Sequence, residues 1–352
     1  MYRVGAPEFQ LTWLDRAGAV KGLVGEPADL GGATLSPDAT RVAMWRRSRQ
    51  GLSSRELWLV DVLRNTSTPF ATDPEADTPA WSADGRELYF ALGTRGASLN
   101  RKAIDGNHPA ETFLRQGATD GPLSAGGADM DSTADGRFLV FAVIGNKTAL
   151  DLWLLPLAAG GKAVALIQQD LNQYDGRVSP DGRWLAYVSN ESGINEVFLC
   201  PLTKDPATGV PVPGSKLAVS SGGGISPRWR KDGRELFFQS SVGAVMAVKV
   251  DAASVGTPTE LFRAPGIQTE WSVTADGQRF FVAAPSRQST REFTVVVNWQ
   301  STLSTDRTPA FLGIDACSGV GVTNDGRLDE LRNTLCRSGK RATFCIVGHA
   351  CM

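Results

Sequence analysis

Short apolar segments recur along the chain at regular intervals, each entered through an Asp-Gly turn. One pattern, a strand, a turn and an apolar strand, has six copies: Leu35–Met44, Trp81–Phe90, Ser132–Phe141, Val178–Tyr187, Trp229–Phe238 and Val273–Val282. The turn aspartates are Asp38, Asp84, Asp135, Asp181, Asp232 and Asp276, spaced by 46, 51, 46, 51 and 44 residues. Four positions past the aspartate stands Val42, Leu88, Leu139, Leu185, Leu236 or Phe280. Six past it stands Met44, Phe90, Phe141, Tyr187, Phe238 or Val282. That period of two marks a buried strand face. The residue between them (Ala43, Tyr89, Val140, Ala186, Phe237, Phe281) is apolar as well. A strand apolar on both faces must be covered on both sides.

A third strand follows the copies at Glu56–Val62, Ser98–Ile104, Asp151–Leu157, Glu196–Leu202, Val245–Val250 and Phe293–Trp299. A shorter fourth closes each unit, as at Thr68–Ala71 and Thr259–Phe262. Four antiparallel strands in each unit of about 45 residues, repeated and covered on both faces, predict an all-β, six-bladed β-propeller. The chain begins in mid-pattern. Phe9–Asp15 and Ala19–Val24 are strands around the turn Asp15-Arg16-Ala17-Gly18, and they precede the first full copy. They are expected to complete the last blade and close the ring; the alternative is a share in a seventh blade.

The turn residues have a physical role. Aspartate caps the turn by accepting from backbone N–H groups, and glycine takes the positive-φ position. Aspartate is present in all six copies, and the glycine is replaced once, by Ala39.

Charge and cysteine narrow the functional classes. With 36 basic and 37 acidic residues the net charge is -1, so no basic stripe argues for nucleic acid. No window approaches the ~18 apolar residues of a membrane helix, and Met1–Gln10 lacks the layout of a secretory signal. Cys200 stands alone before residue 300, whereas Cys317, Cys336, Cys345 and Cys351 crowd the end. The expected organisation is a disordered start over 1–8, a propeller over 9–300 and a poorly packed extension over 301–352.

The repeat, (S/A)-(P/A)-D-G-R-x-L-x-(F/Y), resembles the TolB-type, WD-like propeller repeats of bacteria over about residues 9–300. Gly222–Phe238 and Phe293–Gln300 resemble the C-terminal propeller of large bacterial serine/threonine kinases. That resemblance implies a sensor or scaffold part. Kinase activity is not implied, since the chain has no Gly-rich phosphate loop with its strand lysine, no H-R-D and no D-F-G. The compartment is left open: periplasmic if the chain is part of a membrane-anchored kinase, cytoplasmic otherwise.

Other motifs fail on spacing. An Asp box wants Ser-x-Asp-x-Gly, but Gly182 directly follows Asp181. Propeller peptidases need a hydrolase domain with a G-x-S-x-G elbow; Ser318 lies in Ala316-Cys317-Ser318-Gly319, and His108 and His349 are the only histidines. Gly222-Gly223-Gly224 leads into a strand and reads as a loop rather than a phosphate cradle. Cys317, Cys336, Cys345, His349 and Cys351 have zinc-ligand types but no paired C-x2-C spacing. No catalytic residue, metal or cofactor is expected.

A binding site is expected where the innermost strands start around the channel. Six positions before each turn aspartate stand Gly32, Thr78, Asp129, Asp175, Ser226 and Glu270. Four before it stand Thr34, Ala80, Asp131, Arg177, Arg228 and Ser272. One step earlier than the first set are Asp77 and Tyr174. Asp77, Asp129, Tyr174, Asp175, Arg228 and Glu270 are therefore the candidate rim, exposed and dispensable for stability. Polar loops at any solvent face have the same look. The function expected is a monomeric, non-catalytic propeller binding a protein or peptide. The alternative is a hydrolase or lyase using rim carboxylates around a metal.

Overall fold

The computed structural model describes residues 8–286, except 48–54, 72–75, 93–97, 107, 116–128, 145–149, 159, 252–253, 265 and 268–270. The expectations for residues 1–7, for Phe293–Trp299, and for the C-terminal cysteines, His349 and Ser318 lie outside the described residues.

The chain opens with β1 (Phe9–Asp15) and β2 (Val20–Ala28). Blade 1 is β3 (Leu30–Leu35), β4 (Arg41–Arg47), β5 (Arg55–Asp61) and β6 (Thr66–Ala71). Blade 2 is β7 (Asp77–Trp81), β8 (Glu87–Leu92), β9 (Ser98–Ala103) and β10 (Glu111–Arg115). Blade 3 is β11 (Met130–Ser132), β12 (Phe138–Ile144), β13 (Leu150–Pro156) and β14 (Val164–Ile167). Blade 4 is β15 (Gln173–Val178), β16 (Trp184–Ser189) and β17 (Glu196–Lys204), with its fourth position split between β18 (Pro211–Pro213) and β19 (Leu217–Ala218). Blade 5 is β20 (Gly224–Trp229), β21 (Glu235–Ser240), β22 (Ala244–Lys249) and β23 (Thr259–Arg263). The last copy contributes only β24 (Ser272–Val273) and β25 (Arg279–Pro285).

Sheet order in blade 6 is β2-β1-β25-β24. The N-terminal strands complete this blade, so six blades form the ring. β1 pairs with β25 along its whole length, from Phe9↔Pro285 to Asp15↔Arg279. This corrects the place given to Phe293–Trp299. Both edges of β25 are already filled, by β24 and by β1, so the third-strand position belongs to the chain's start.

The alternation of the second strand explains the packing. Successive side chains point to opposite faces, and each face meets a different neighbouring blade. Leu88 and Phe90 join the cluster shared with blade 1, while Tyr89 and Ala91 join the one shared with blade 3. Phe280 and Val282 pack towards blade 5, and Phe281 and Ala283 towards blade 1. One apolar cluster thus fills each of the six junctions, the blade 6–blade 1 junction included. Burying a side chain such as Phe141 or Leu185 contributes about 1.5–3 kcal/mol. Among the described residues there is no helix, and none long and apolar enough to cross a membrane.

Candidate functional site

The six turns are built alike. In each, the aspartate Oδ1 accepts the backbone N–H two residues on, at 3.0–3.1 Å. A hydroxyl two residues before donates to the same oxygen in five blades, from Ser36, Ser82, Thr133, Ser179 and Thr274. Blade 5 substitutes Arg230, which grips Asp232 through Nε and Nη2 at 2.7 Å each. These donors hold Asp38, Asp84, Asp276 and Asp232 below the usual carboxylate value. At Asp181 burial opposes, but Ser179 and Arg183 prevail. The residue after the aspartate has φ near +70° in five turns, and Ala39 is forced to +60°.

The residue just before each aspartate faces the channel. Pro37, Ala83, Ala134, Pro180, Lys231 and Ala275 surround one end of a cavity of about 330 Å³. Behind that ring come Leu35, Trp81, Ser132, Val178, Trp229 and Val273. Thr34, Ala80, Asp131, Arg177, Arg228 and Ser272 follow, and Thr78 and Asp129 also line the cavity. Every blade contributes to its wall.

Hydrogen bonds stitch that wall across all six junctions. Trp81 Nε1 donates to Thr34 O at 3.0 Å, Ser132 Oγ to Trp81 O at 2.7 Å, and Arg177 Nη1 to Met130 O at 2.8 Å. Trp229 Nε1 donates to Arg177 O at 3.0 Å and Arg228 Nε to Trp271 O at 2.8 Å. Leu35 N donates to Ser272 Oγ at 3.0 Å, across the closure of the ring.

Blades 3, 4 and 5 place five charges together. Asp175 is the hub: its Oδ1 accepts from Arg177 Nε at 2.9 Å, Arg177 Nη2 at 2.7 Å and Arg228 Nη1 at 3.1 Å. Arg177 also lies 3.4 Å from Asp131. Burial works against ionised Asp175, but Arg228 and Arg177 outweigh it and hold its carboxyl below the usual value. Burial and the Asp175 charge push Asp129 the other way, up to about 7, despite Arg177 and Arg228. Burial raises Asp131 as well, against the pull of the same arginines. Burial, Asp175 and Asp129 push Tyr174 up to about 12.

Backbone geometry contributes to this arrangement. Gly32, Thr78, Asp175 and Ser226, all six positions before their aspartates, have φ of +65°, +47°, +50° and +56°. The pairing register slips by one residue at each, between Gly31 and Ala33, Asp77 and Ala80, Tyr174 and Arg177, and Ile225 and Arg228. These are β-bulges, which bend the strand and re-aim side chains. In non-glycine residues such a conformation costs on the order of 1 kcal/mol.

The sequence-based rim is thus brought together in part. Asp129, Asp175 and Arg228 meet at the charged wall. Asp77 instead pairs with Arg55 of blade 1, and it does not line the cavity. Tyr174 packs among the apolar side chains on either side of blade 4. Glu270 lies outside the described residues. The expectation of exposure is corrected: the side chains of Asp175 and Arg228 are 5% and 13% exposed, because the bulges fold them into the junctions. Asp131 and Arg177 stood in the sequence register but not in the candidate set. The signal was available, as acidic and basic residues at equivalent positions of neighbouring copies. The ring of turns was missed because five of its six side chains are proline or alanine, which carry no chemical signature, and Lys231 alone does not mark a ring.

Elsewhere, the amides of Gly222 and Gly223 both donate to Glu196 Oε1, at 2.8 and 3.0 Å. A side chain of the same blade junction already satisfies this glycine run, as a loop requires. His108 is exposed in its turn. Cys200 is buried in β17, and burial pushes its thiol up to about 12. Among the described residues no group of three His, Cys, Asp or Glu is placed to hold a metal ion.

No protein-family model matches the chain, and no curated protein matches it. Solved structures do. The putative TolB from Agrobacterium tumefaciens is 14% identical, with a TM-score of 0.57 over 80% of this chain and 99% of that one. TolB from Acinetobacter baumannii is 14% identical with a TM-score of 0.49 over 80% of this chain, which spans 64% of that protein. An oligogalacturonate lyase in complex with manganese is 15% identical, with a TM-score of 0.49 over 79% of this chain and 83% of that one. The fold is a TolB-like six-bladed β-propeller. A fold does not by itself fix a function, so the architecture leaves binding and catalysis both open.

Proposed function

We propose that this chain is a binding propeller whose channel, entered past the ring of turns, receives an extended segment of a protein or peptide. The observation that carries this reading is the cavity of about 330 Å³ lined by all six blades. Its entrance has small side chains apart from Lys231, its middle is largely apolar with two indoles, and its depth is charged. That layering suits a partner residue with an apolar body and a polar tip. Asp175, Arg177 and Arg228 are engaged with one another and with backbone carbonyls, which fits a fixed shape better than proton transfer. A metal-assisted hydrolase or lyase would need Asp131 and Asp175 to exchange Arg177 for the metal ion. The resemblance of Gly222–Phe238 to kinase-linked propellers supports a sensor or scaffold role. An in-frame kinase domain in the upstream genomic sequence would bear that out.

The test is to pan a phage-displayed peptide library on the wild type and on a plugged variant, Ala134→Trp with Ala275→Trp. The control is Thr68→Lys on exposed β6. Peptides enriched on the wild type and control, and lost on the plugged variant at unchanged melting temperature, support the reading. Equal enrichment on all three refutes channel entry. Stoichiometric binding of Mn²⁺ or Ca²⁺ by calorimetry, abolished by Asp131→Asn, favours the enzyme reading.

A further inference from the structure

We infer that the channel selects a cation on an aliphatic stem, the side chain of a single lysine or arginine of the partner, seated against Asp129. This inference rests on the binding reading above and specifies what the channel recognises.

The charge count at the wall is uneven. Three carboxylates, Asp129, Asp131 and Asp175, meet two guanidiniums, Arg177 and Arg228. Asp175 takes donors from both arginines, and Arg177 reaches Asp131 as well. The remaining donors of these arginines are committed to the carbonyls of Met130, Trp271 and Pro227. Asp129 forms no hydrogen bond or ion pair with the described residues. It lines the cavity. Among the described residues Asp129 is therefore left without an ion pair where Asp131 and Asp175 both have one, and the other unpaired charge of the lining, Lys231, stands at the entrance. An anionic ligand would meet that unpaired negative charge, and a divalent cation would find Asp175 occupied.

The route to Asp129 fits the stem. An entering side chain passes Ala83, Ala134 and Ala275 and then Trp81, Val178 and Trp229, all of which line the cavity. Lysine and arginine bury their methylenes along such a wall while the cationic head finds its partner. Lys231 stands exposed at the entrance. Its ammonium repels a second positive charge, so a lone basic residue with neutral or acidic neighbours is selected over a basic run.

The titration of Asp129 agrees with this geometry. The groups facing it are Tyr174, Asp175 and Arg177 from β15 and Arg228 from β20, with Asp131 two residues on in β11. Burial and Asp175 raise its carboxyl to about 7. An arriving cation favours the ionised form, so binding should weaken as pH falls below about 7.

Calorimetry on the full chain tests the inference. The probes are acetylated, amidated pentapeptides differing only at a central lysine, arginine or norleucine, with cadaverine as a free amine and MnCl₂ as a bare cation. The wild type should bind the lysine or arginine peptide at least tenfold tighter than the norleucine twin. Asp129→Asn, of nearly equal shape, should erase that difference with its melt intact. Should the asparagine variant misfold, the wild type still decides: lysine binding should drop about tenfold from pH 8 to pH 5.5, and norleucine binding should not. Equal affinity for lysine and norleucine, or a preference that survives in Asp129→Asn, overturns the inference. So does Mn²⁺ that binds stoichiometrically and displaces the lysine peptide. Cadaverine binding as tightly as the peptides would make a diffusible amine the ligand and overturn side-chain insertion. Library peptides lost on the plugged variant, yet free of basic residues and indifferent to Asp129→Asn, would sink this inference and leave the binding propeller standing.

Discussion

The channel wall has two unlike halves. Blades 6, 1 and 2 supply Ser272, Thr34 and Ala80 at the level where blades 3, 4 and 5 supply Asp131, Arg177 and Arg228. The turns that frame this wall are nearly identical in all six blades. Closing a ring needs the same bend and the same hydrogen bonds at every step, so the turn chemistry repeats. The wall needs only neighbour-to-neighbour bonds, which a serine, an indole or a guanidinium can each make. Individual character therefore collects in the wall, and on one side of it.

The largest effect should come from the ring itself. Removing residues 8–28 takes away β1 and β2 and exposes β25, whose partner they are. It also deletes Leu11, Trp13 and Val24 from the blade 6–blade 1 cluster. Unfolding or concentration-dependent oligomers are expected by melting and size-exclusion chromatography, since bare strand edges template association. A monomer with an unchanged melt would show that closure does not depend on these strands.

Next comes the contrast between halves. Arg177→Ala leaves buried Asp175 with Arg228 alone and removes the ion pair that Asp131 makes among the described residues, and should cost about 3–5 kcal/mol in urea denaturation. Ser272→Ala in the neutral half loses one hydrogen bond and should cost about 1 kcal/mol. Equal costs would mean that the charged half is ordinary scaffold.

A pH series separates wall from turns by sign. Asp129 has its folded value raised from 3.8 to about 7. Its ionisation is disfavoured in the fold, so its contribution falls as pH rises from about 4 to 7. The magnitude is on the order of 4 kcal/mol, and Asp129→Asn should flatten that slope. The turn aspartates Asp38, Asp84, Asp232 and Asp276 are depressed, so their contribution is present above about pH 4. It is lost as pH falls through their folded values. A stability curve with one slope throughout would remove the distinction.

The smallest effects lie within the turns. Gly85→Ala puts a side chain at φ +70° with its Cβ 3.4 Å from Pro37 and should cost about 1 kcal/mol. Ala39→Gly relieves the reverse situation at +60° and should gain about 0.5 kcal/mol. Melting curves of both variants would show whether the one departure in the repeat carries a cost.

The architecture was legible because the turn chemistry and the two-faced strands are local and repeated. Closure by Phe9–Asp15 could be read too, since the pattern begins with the strands its last copy lacks. Its register could not, and Phe293–Trp299 was placed where β1 sits. The site was legible only in part. Asp129, Asp175 and Arg228 stood out as charges at equivalent positions. Nothing in the residue types announced the bulges at Thr78, Asp175 and Ser226, since threonine and serine do not signal positive φ. Those bulges fold Asp175 and Arg228 inward and give the wall its buried charge. Alternation was assumed to continue to the strand start, and it breaks at the bulge instead.

Ring closure has a topological consequence as well. Ser286 N donates to Glu8 O at 2.9 Å, so the two ends of the propeller's own span lie side by side. A short glycine-serine bridge could join them, and new termini could be opened at the exposed pair Ala207–Thr208, between β17 and β18, without cutting any strand. Such a circular permutant would keep every strand pairing while its covalent seam moves from blade 6 to blade 4. The order in which the chain is synthesised and the order in which the ring is assembled would then be independent.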